Sequence, residues 1–261
     1  MKKYFHIAGC EIQNTLIYRG NTWLTAFFSI FTILLAYLLW NAVFGDSKTF
    51  NGFTLPQMIT YYLLSGILSP LMQSDGLLNT FTEEIKNGSY SKYIVKPISP
   101  IGYFMSAGFA RSLYPVVAST LVLTIVMIMF NGFFEPLTLM NIVKALPVIL
   151  LGAVLNMLIS FIITMATFKF TDIGFLIVIQ NIVKMFLSGS LIPLNLVFGN
   201  QIAMWSPFSY TLYYPVMLVL GKSETSFVTA LIVLTVWIAV AFVICLMLKS
   251  RAPKAFEGVG M

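Results

Sequence analysis

The side chains that could perform chemistry are few in this sequence, and their types limit what the chain could do. It has one histidine, His6, and two cysteines, Cys10 and Cys245, at opposite ends. This supply is too small for a histidine-based metal site, a catalytic triad or a disulfide framework. The sequence also lacks a Gly-x-x-x-x-Gly-Lys-[Ser/Thr] loop that would cradle nucleotide phosphates. Of the function classes considered, an enzyme is therefore the least favoured.

One lysine falls inside a long apolar run. At a rise of about 1.5 Å per residue, Lys184 lies about 11 residues, or roughly 17 Å, into the run that begins at Ile173. A charge at the centre of a bilayer costs at least about 2.5–3.5 kcal/mol, so we expect Lys184 to face water or a partner. Together with Gln180 and Asn181, it could line a pathway and attract an anionic or polar substrate. The alternative is a snorkelling or paired lysine between helices.

Two further charges, Asp75 and Arg111, lie near the ends of neighbouring apolar runs. We predict that they form a structural ion pair, with a role in gating as the alternative. A pair of this kind satisfies both charges near the membrane without requiring either to reach bulk water.

The elements that position these residues follow from composition. Of the 261 residues, 59% are hydrophobic and 9% are charged, and the mean hydropathy is +0.91. A soluble domain carries about 25% charged residues, so most of this surface must face lipid. A bilayer span needs roughly 20 apolar residues. We therefore predict an all-α polytopic membrane protein with six transmembrane helices, at residues 22–44, 55–78, 101–130, 142–168, 173–189 and 227–248.

The segments outside the six runs have distinct patterns. Residues 1–20 place apolar side chains near helical spacing, which predicts an amphipathic helix lying on the membrane interface. Residues 190–221 are apolar but rich in proline, which predicts short re-entrant helices buried against the bundle. The aromatic residues of that segment are interpreted as a membrane-interface belt, with a lining for a lipid-linked or aromatic substrate as the alternative. They are Trp205, Phe208, Tyr210, Tyr213 and Tyr214.

The distribution of lysine and arginine predicts the orientation. With six spans, both termini lie on one side, and most of the fifteen basic residues lie there too. That side receives Lys2, Lys3, Arg19, Lys86, Lys92, Lys96, Arg111, Lys169, Lys249, Arg251 and Lys254. The other side receives Lys48, Lys144 and Lys222. We expect both termini and the loop of residues 79–100 to be cytoplasmic in a multi-pass protein of the cell membrane.

The loop of residues 79–100 is longer and more charged than a simple connection requires. A short helix should end at Gly88, and a second short turn should end before Pro97 and Pro100. The resulting elbow combines charged side chains with Tyr90 and Tyr93, which suits either an amphipathic loop on the bilayer or a docking site for a cytoplasmic protein. Its charged side chains are Glu83, Glu84, Lys86, Lys92 and Lys96.

These residues carry a family resemblance. The order Glu-Ile-Lys-x-Gly-(four residues)-Tyr-x-x-x-Lys-Pro-Ile-Ser-Pro, between a second and a third span, resembles the coupling-helix region of type-2 ATP-binding-cassette (ABC-2) exporter permeases. The run Leu187-Ser-Gly-Ser-Leu-Ile-Pro193, followed by Trp205-Ser-Pro207 and Tyr210, is similar to that family's broken fifth span and re-entrant region. The family also begins with a cytosolic amphipathic helix.

The resemblance implies a transmembrane exporter subunit that pairs with a second permease, identical or paralogous, and with two cytosolic ATPase subunits. ATP and Mg²⁺ would bind those partners, and spans one and five would face the second permease. The implied outer gate comprises Pro193, Trp205, Pro207 and Tyr210. The implied ATPase-coupling residues are Glu83, Glu84, Lys86, Gly88, Tyr90, Tyr93, Lys96 and Pro97.

The alternative function is a secondary transporter or channel that works without an ATPase. It predicts ionisable groups along the pathway and internal repeats. The sequence instead shows one isolated lysine and no repeat. The net charge of +6 follows the membrane orientation and does not require nucleic acid as a partner. The substrate class (drug, peptide, lipid or glycan) stays open.

Overall fold

The structure is a computed structural model, which describes residues 2–95, 98–170, 173–198 and 205–256. Every regular element in this part of the chain is a helix, which confirms the all-α prediction. Single-turn 3₁₀ helices lie at Asn131–Phe133, Ala166–Phe168 and Ser209–Thr211. The described α-helices are α1 (Lys2–Ile17), α2 (Arg19–Phe44), α3 (Leu55–Met72), α4 (Asp75–Lys86), α5 (Ser91–Val95), α6 (Pro100–Met129), α7 (Leu139–Met165), α8 (Gly174–Leu187), α9 (Leu194–Val197), α10 (Tyr213–Val219) and α11 (Phe227–Phe256).

Among the described residues, four helical stretches are long and apolar enough to cross a bilayer. They are Arg19–Phe44, Pro100–Met129, Leu139–Phe168 and Phe227–Ser250. The helices at predicted spans two and five are shorter: α3 has 18 residues and α8 has 14. The run predicted over residues 55–78 is interrupted, because Gln73 after Met72 adopts an extended backbone (φ −78°, ψ 114°). A second helix, α4, starts two residues further on.

The start of α3 is encoded locally. The Thr54 hydroxyl accepts a hydrogen bond from the Gln57 backbone N–H, and the Gln57 side chain accepts one from the Thr54 N–H. This capping box satisfies backbone donors that the first turn of a helix leaves free. α6 begins with Pro100, a residue that suits the first helical turn because it has no N–H to satisfy.

α1 lies within residues 1–20, where the sequence predicts an interfacial helix, and it packs along the first half of α6. The ring of Tyr4 lies against Gly102, where a Cβ atom would come within 2.7 Å of it. The Tyr4 hydroxyl also accepts a hydrogen bond from the Ser99 N–H, at 3.2 Å. Further along, Glu11 is buried and pairs with Arg111. These contacts fix the N-terminal helix to α6 along several turns.

α7 lies at the centre of the bundle, between α11, α10 and α6. Its small residues allow close approach, as is usual for packed helices in membranes. At Gly152 a Cβ atom would lie 2.5 Å from the Tyr210 carbonyl oxygen. At Gly108 of α6 a Cβ atom would lie 2.4 Å from the Met157 sulfur of α7. The backbones therefore pack more closely than larger side chains would permit.

The segment after α8 folds back against the bundle as short helices. Tyr210, Tyr213 and Tyr214 are buried, whereas Trp205 is 63% exposed. The predicted aromatic belt is therefore wrong for these three tyrosines, because α10 and the turn before it pack between α3 and α7 and take the tyrosines inward. A buried Tyr keeps its apolar ring in the core while its hydroxyl finds a partner, as Tyr214 does at the Thr225 carbonyl, 3.1 Å away.

Candidate functional site

The elbow between α3 and α6 consists of α4, a tight reversal and α5. Gly88 adopts a left-handed conformation (φ 73°), which residues with a side chain rarely adopt. Its N–H donates to the Ile85 carbonyl at 3.2 Å, and the Tyr90 N–H donates to the Glu84 carbonyl at 2.9 Å. The glycine thus ends α4 and turns the chain into α5.

An aromatic cluster attaches the elbow to the bundle. Phe81 is fully buried and stacks on Tyr93, with ring centroids 5.2 Å apart, and it meets Phe104 of α6 edge-on at 5.4 Å. Tyr90 meets Phe168, just beyond α7, edge-on at 4.9 Å. Aromatic pairs at these separations add to the stabilisation from burial. The elbow is therefore held by both of the helices on which it rests.

A second set of contacts joins α4 to α5 within the elbow. The Glu84 carboxylate accepts a 2.5 Å hydrogen bond from the Lys92 ammonium and a 2.8 Å hydrogen bond from the Tyr93 hydroxyl. The same ammonium lies 4.8 Å from the centre of the Tyr93 ring. Burial raises the pKa of Tyr93 well above its usual value, and the bond to Glu84 raises it further. Burial raises the pKa of Tyr90 to about 12. Both phenols are thus neutral at physiological pH.

The predicted coupling residues divide into two groups. Glu84, Tyr90 and Tyr93 turn inward and build the elbow. Glu83 and Lys86 are exposed on its outer face, and Val95 at its end is 83% exposed. We call these last three residues the outer elbow face. Lys96 and Pro97 lie outside the described residues. A surface that exposes both charged side chains and an apolar one suits contact with a protein partner.

Three remote segments of the chain meet beside the elbow. Ser99, just before α6, donates its N–H to Tyr4 of α1 and lies 3.3 Å, through its hydroxyl, from the ammonium of Lys249 in α11. The N-terminal helix, the elbow and the last helix therefore share one end of the molecule. The lysine and arginine count also predicts that these three segments lie on the same side of the membrane.

The break between α3 and α4 carries a polar network. The Lys184 ammonium donates to the Met72 carbonyl at 3.0 Å and lies 3.5 Å from the Ser74 hydroxyl. The Asn156 side-chain amide of α7 donates to the Leu71 and Met72 carbonyls, at 3.1 and 3.2 Å. The last carbonyls of a helix have no partner within it, so these side chains satisfy the end of α3.

The network continues into α7 and α8 through hydroxyl groups. The Ser74 and Ser160 hydroxyls are 2.7 Å apart, and Gln180 donates to the Ser160 hydroxyl at 3.0 Å. Gln180 therefore faces α7, whereas the sequence groups it with Asn181 and Lys184 as a possible pathway residue. Neither Asn156 nor Ser160 stood out in the sequence, because single Asn and Ser residues in an apolar run have no pattern to mark them.

A cavity of about 420 Å³ opens between α2, α3 and α8. Asn181 and Lys184 line it, so the structure brings these two predicted residues together. The Ser188 hydroxyl is fully buried at its wall and has no hydrogen-bond partner among the described residues. The other hydroxyl side chains around the cavity are Ser29, Thr32, Tyr62, Ser65, Ser69 and Ser190.

Arg111 has a partner that the sequence did not suggest. Its guanidinium Nε donates to the Glu11 carboxylate at 2.8 Å, with both side chains largely covered. The Asp75 side chain, the predicted partner, lies outside the described part of the structure. Arg111 also borders a second cavity, of about 350 Å³, which Gln73 and Ser74 of the α3–α4 break line as well. The pair links the N-terminal helix to α6 across 100 residues of sequence.

The predicted outer-gate residues are distributed over the segment after α8. Pro193 is buried at the start of α9, and Tyr210 is 1% exposed against α7. Trp205 is exposed, and its carbonyl accepts a hydrogen bond from the Trp237 indole at 3.1 Å. Pro207 is half-buried in the turn that follows. These residues line one folded segment but do not converge on a single point.

Two tyrosines of α3 that we had not singled out bind that segment. The Tyr61 hydroxyl donates to the Gly189 carbonyl at 2.6 Å, and the Tyr62 hydroxyl donates to the Leu191 carbonyl at 2.5 Å. The adjacent Tyr-Tyr pair, in an otherwise apolar run, was the available signal in the sequence. For metal binding, no group of three His, Cys, Asp or Glu side chains is close enough within the described ranges.

Several long apolar helices, a polar cavity between three of them and a braced elbow at one end define a multi-pass membrane protein. Comparison with known families shows to which family of membrane proteins the chain belongs. Residues 30–260 match the model of a family described as "ABC-2 family transporter protein". Since the match covers most of the chain, the protein belongs to this family and is an ABC-2 type permease, a membrane component of ABC transporters. A search of curated proteins found no match. α1 precedes the matched residues.

Proposed function

We propose that this chain is the membrane-spanning subunit of an ATP-driven exporter and that its elbow receives the movement of separate cytosolic ATPase subunits. Those subunits would bind ATP and Mg²⁺. The observation that carries the proposal is the construction of the elbow: its aromatic face is buried against α6 and the end of α7, while Glu83, Lys86 and Val95 face outward. A force applied to such a rigid element reaches the helices beneath it.

We further propose that the chain crosses the membrane six times, with α3 and α8 as the two short spans and both termini in the cytoplasm. The segment after α8 would be re-entrant. Support comes from the position of α1, the elbow and α11 at one end of the molecule. These segments belong to the side to which the sequence analysis assigns most of the basic residues. A hydroxyl-rich cavity beside a lipid-facing surface is also expected for a transport pathway.

The cavity would lie at the interface with a second permease subunit. α2 and α8 border it, and both helices present large exposed apolar side chains, among them Phe28 and Phe31 on α2 and Ile182 and Phe186 on α8. Closure of the two subunits would change access to the cavity, and the segment containing Pro193 and Trp205 would control release on the outer side.

Co-purification and ATP hydrolysis test the ATPase assignment. Glu83→Lys combined with Lys86→Glu reverses the charges of the outer elbow face without touching its aromatic cluster. We expect the amount of ATPase that co-purifies with the chain to fall at least about tenfold, because like charges placed opposite one another at an interface cost several kcal/mol of binding free energy. Lys144→Glu, an exposed charge at the far end of α7, is the matched control and should retain the ATPase. A wild-type chain that purifies with no P-loop ATPase would favour a transporter without one.

Cysteine labelling tests the orientation. Asn87→Cys at the exposed tip of the elbow and Lys48→Cys in the exposed α2–α3 loop would be placed in a Cys10→Ser background, since Cys10 is exposed. A maleimide that does not cross membranes should label Lys48→Cys in intact cells and Asn87→Cys after permeabilisation. Labelling of the elbow in intact cells would reverse the topology and remove the basis for cytosolic ATPase docking.

A further inference from the structure

α8 is held to the bundle by polar contacts. All of its residues are described, and three of its side chains are buried: Ile177, Gln180 and Lys184. They recur on one face, and two of the three are polar. Apart from Asn181, which lines the cavity, the rest of α8 is apolar and largely exposed. No hydrophobic effect drives helices together inside a membrane, so van der Waals packing and interhelical hydrogen bonds set their positions. Because α8 buries one apolar side chain and two polar ones, hydrogen bonds have a large share in setting its position.

Lys184 makes its contact at the end of a helix. The last carbonyls of α3 lack partners within the helix and carry the negative end of its dipole. The Lys184 ammonium donates to one of them, at Met72, while Asn156 of α7 donates to the same carbonyl from another side. A cation therefore lies where the helix attracts one most strongly, and it links α8 to α3.

This helix end adjoins the elbow. Two residues, Gln73 and Ser74, separate α3 from α4, and α4 is the first helix of the elbow. The Ser74 hydroxyl lies 3.5 Å from the Lys184 ammonium. A displacement of α4 therefore moves the groups to which Lys184 is bonded.

α3 also binds the far end of α8. Tyr61 and Tyr62 donate their hydroxyls to the Gly189 and Leu191 carbonyls, just beyond the last turn of α8. The cavity lies between these outer contacts and Lys184. α3 and α8 are thus connected on both sides of the cavity, and a shift of α3 acts on α8 at two points.

We infer that Lys184 is a positioning residue that transmits movement of the elbow to α8, and through α8 to the wall of the cavity. Its ammonium holds the α3–α4 break against α8. The inference rests on the proposed function, because it takes ATPase subunits to be the source of the movement. It assigns Lys184 to the link between helices rather than to the binding of substrate.

Distances between spin labels test this role in the full complex, with ATPase subunits, in lipid nanodiscs. In a Cys10→Ser background, one label pair joins Asn87→Cys on the elbow to Leu150→Cys on the exposed face of α7. A second pair joins Val178→Cys on the exposed face of α8 to the same α7 site. MgATP with orthovanadate should shift both distances in the otherwise unaltered protein, by at least about 2 Å.

Substitutions then separate the two movements. Lys184→Met keeps the length of the side chain and removes its donors, so the elbow distance should still shift while the α8 distance stays constant. Lys184→Arg restores a cation with donors and should restore the α8 shift. Gln180→Leu is the matched control, because it removes a buried polar contact from the same face of α8 but one made to α7. It should leave both shifts in place.

The outcomes distinguish this inference from the proposed function. An elbow that shifts beside an immobile α8, with Lys184 intact, would overturn the inference alone, and this result does not depend on whether any Lys184 variant folds. Normal α8 shifts in Lys184→Met, or equal losses in Lys184→Met and Gln180→Leu, would also overturn it. An elbow that does not respond to nucleotide at all would overturn the proposed function and the inference together.

Discussion

α7 and α8 follow one another in the chain and are similarly apolar, yet they are held in the molecule in different ways. Half of the apolar window of Leu139–Phe168 is buried, whereas α8 buries three side chains. α7 relies on close packing at glycines and on large apolar side chains, and α8 relies on hydrogen bonds from Gln180 and Lys184. The comparison indicates that one helix is a fixed centre and the other can move when its polar partners move.

The largest effect on stability should come from truncating a large buried side chain of α7. Phe161 is 1% exposed and meets Phe104 edge-on at 5.4 Å. Phe161→Ala should lower the free energy of unfolding by about 3–5 kcal/mol, because it leaves a cavity in the core. Phe186→Ala, on the exposed face of α8, is the matched control and should change thermal stability little. Equal losses in the two variants would remove the distinction between the helices.

A smaller effect is expected where α8 ends. Gly189 and Gly52 both have φ near 79°, but a Cβ atom at Gly189 would lie 2.7 Å from the Tyr61 hydroxyl, whereas nothing lies within 4 Å at Gly52. Gly52→Ala should cost about 1–2 kcal/mol from backbone strain alone. Gly189→Ala should cost about 1–3 kcal/mol more, from steric overlap. Unfolding midpoints of the purified protein measure the difference, and equal values would show that the Tyr61 contact is not tight.

The polar contact between α8 and α7 should contribute less. Gln180→Leu removes the bond to the Ser160 hydroxyl, and such bonds in membranes average about 0.6 kcal/mol. It also removes the buried Gln180 Oε1, which has no partner among the described residues. These effects oppose one another, so we expect a change in stability of less than about 1 kcal/mol. A loss as large as that of Phe161→Ala would mean that α8 is as firmly fixed as α7.

The contact between the end of α7 and the elbow should depend on pH only under alkaline conditions. Burial raises the pKa of Tyr90 from 10 to about 12. The folded form therefore favours the neutral phenol. The contribution of the Tyr90 phenol to the free energy of unfolding is fully present below pH 10 and declines as pH rises from 10 to about 12. Tyrosine absorbance and unfolding midpoints followed over this interval should change less in Tyr90→Phe. A loss of stability at pH 7–9 that disappears in Tyr90→Phe would contradict the assignment.

Much of the architecture could be predicted from the sequence. The six apolar runs each contain a helix, Gly88 ends α4, and the proline-rich segment after α8 forms short helices. These features depend on local properties, such as hydropathy, turn chemistry and capping. The interruption of the second run at Gln73 was missed, because two polar residues within an apolar window hardly change its average.

The candidate site was only partly predictable. The sequence identified Lys184 as a costly charge but left its partner open, since the end of α3 is 112 positions away. Glu11, the partner of Arg111, lies in the amphipathic N-terminal helix, where an acidic residue is unremarkable. Tyr90 and Tyr93 stood out as elbow residues, but their inward orientation depends on rings supplied by α6 and by the end of α7.

By itself, the sequence determined that this protein is helical and that it lies in a membrane. Each of these properties is a sum over many residues and is insensitive to any single contact. The tertiary structure alone decided which helices are packed and which are linked by hydrogen bonds, where the cavity opens and which side chains of the elbow are exposed. Those outcomes depend on individual donors and acceptors brought together from distant parts of the chain, and hydrogen bonds act over about 3 Å.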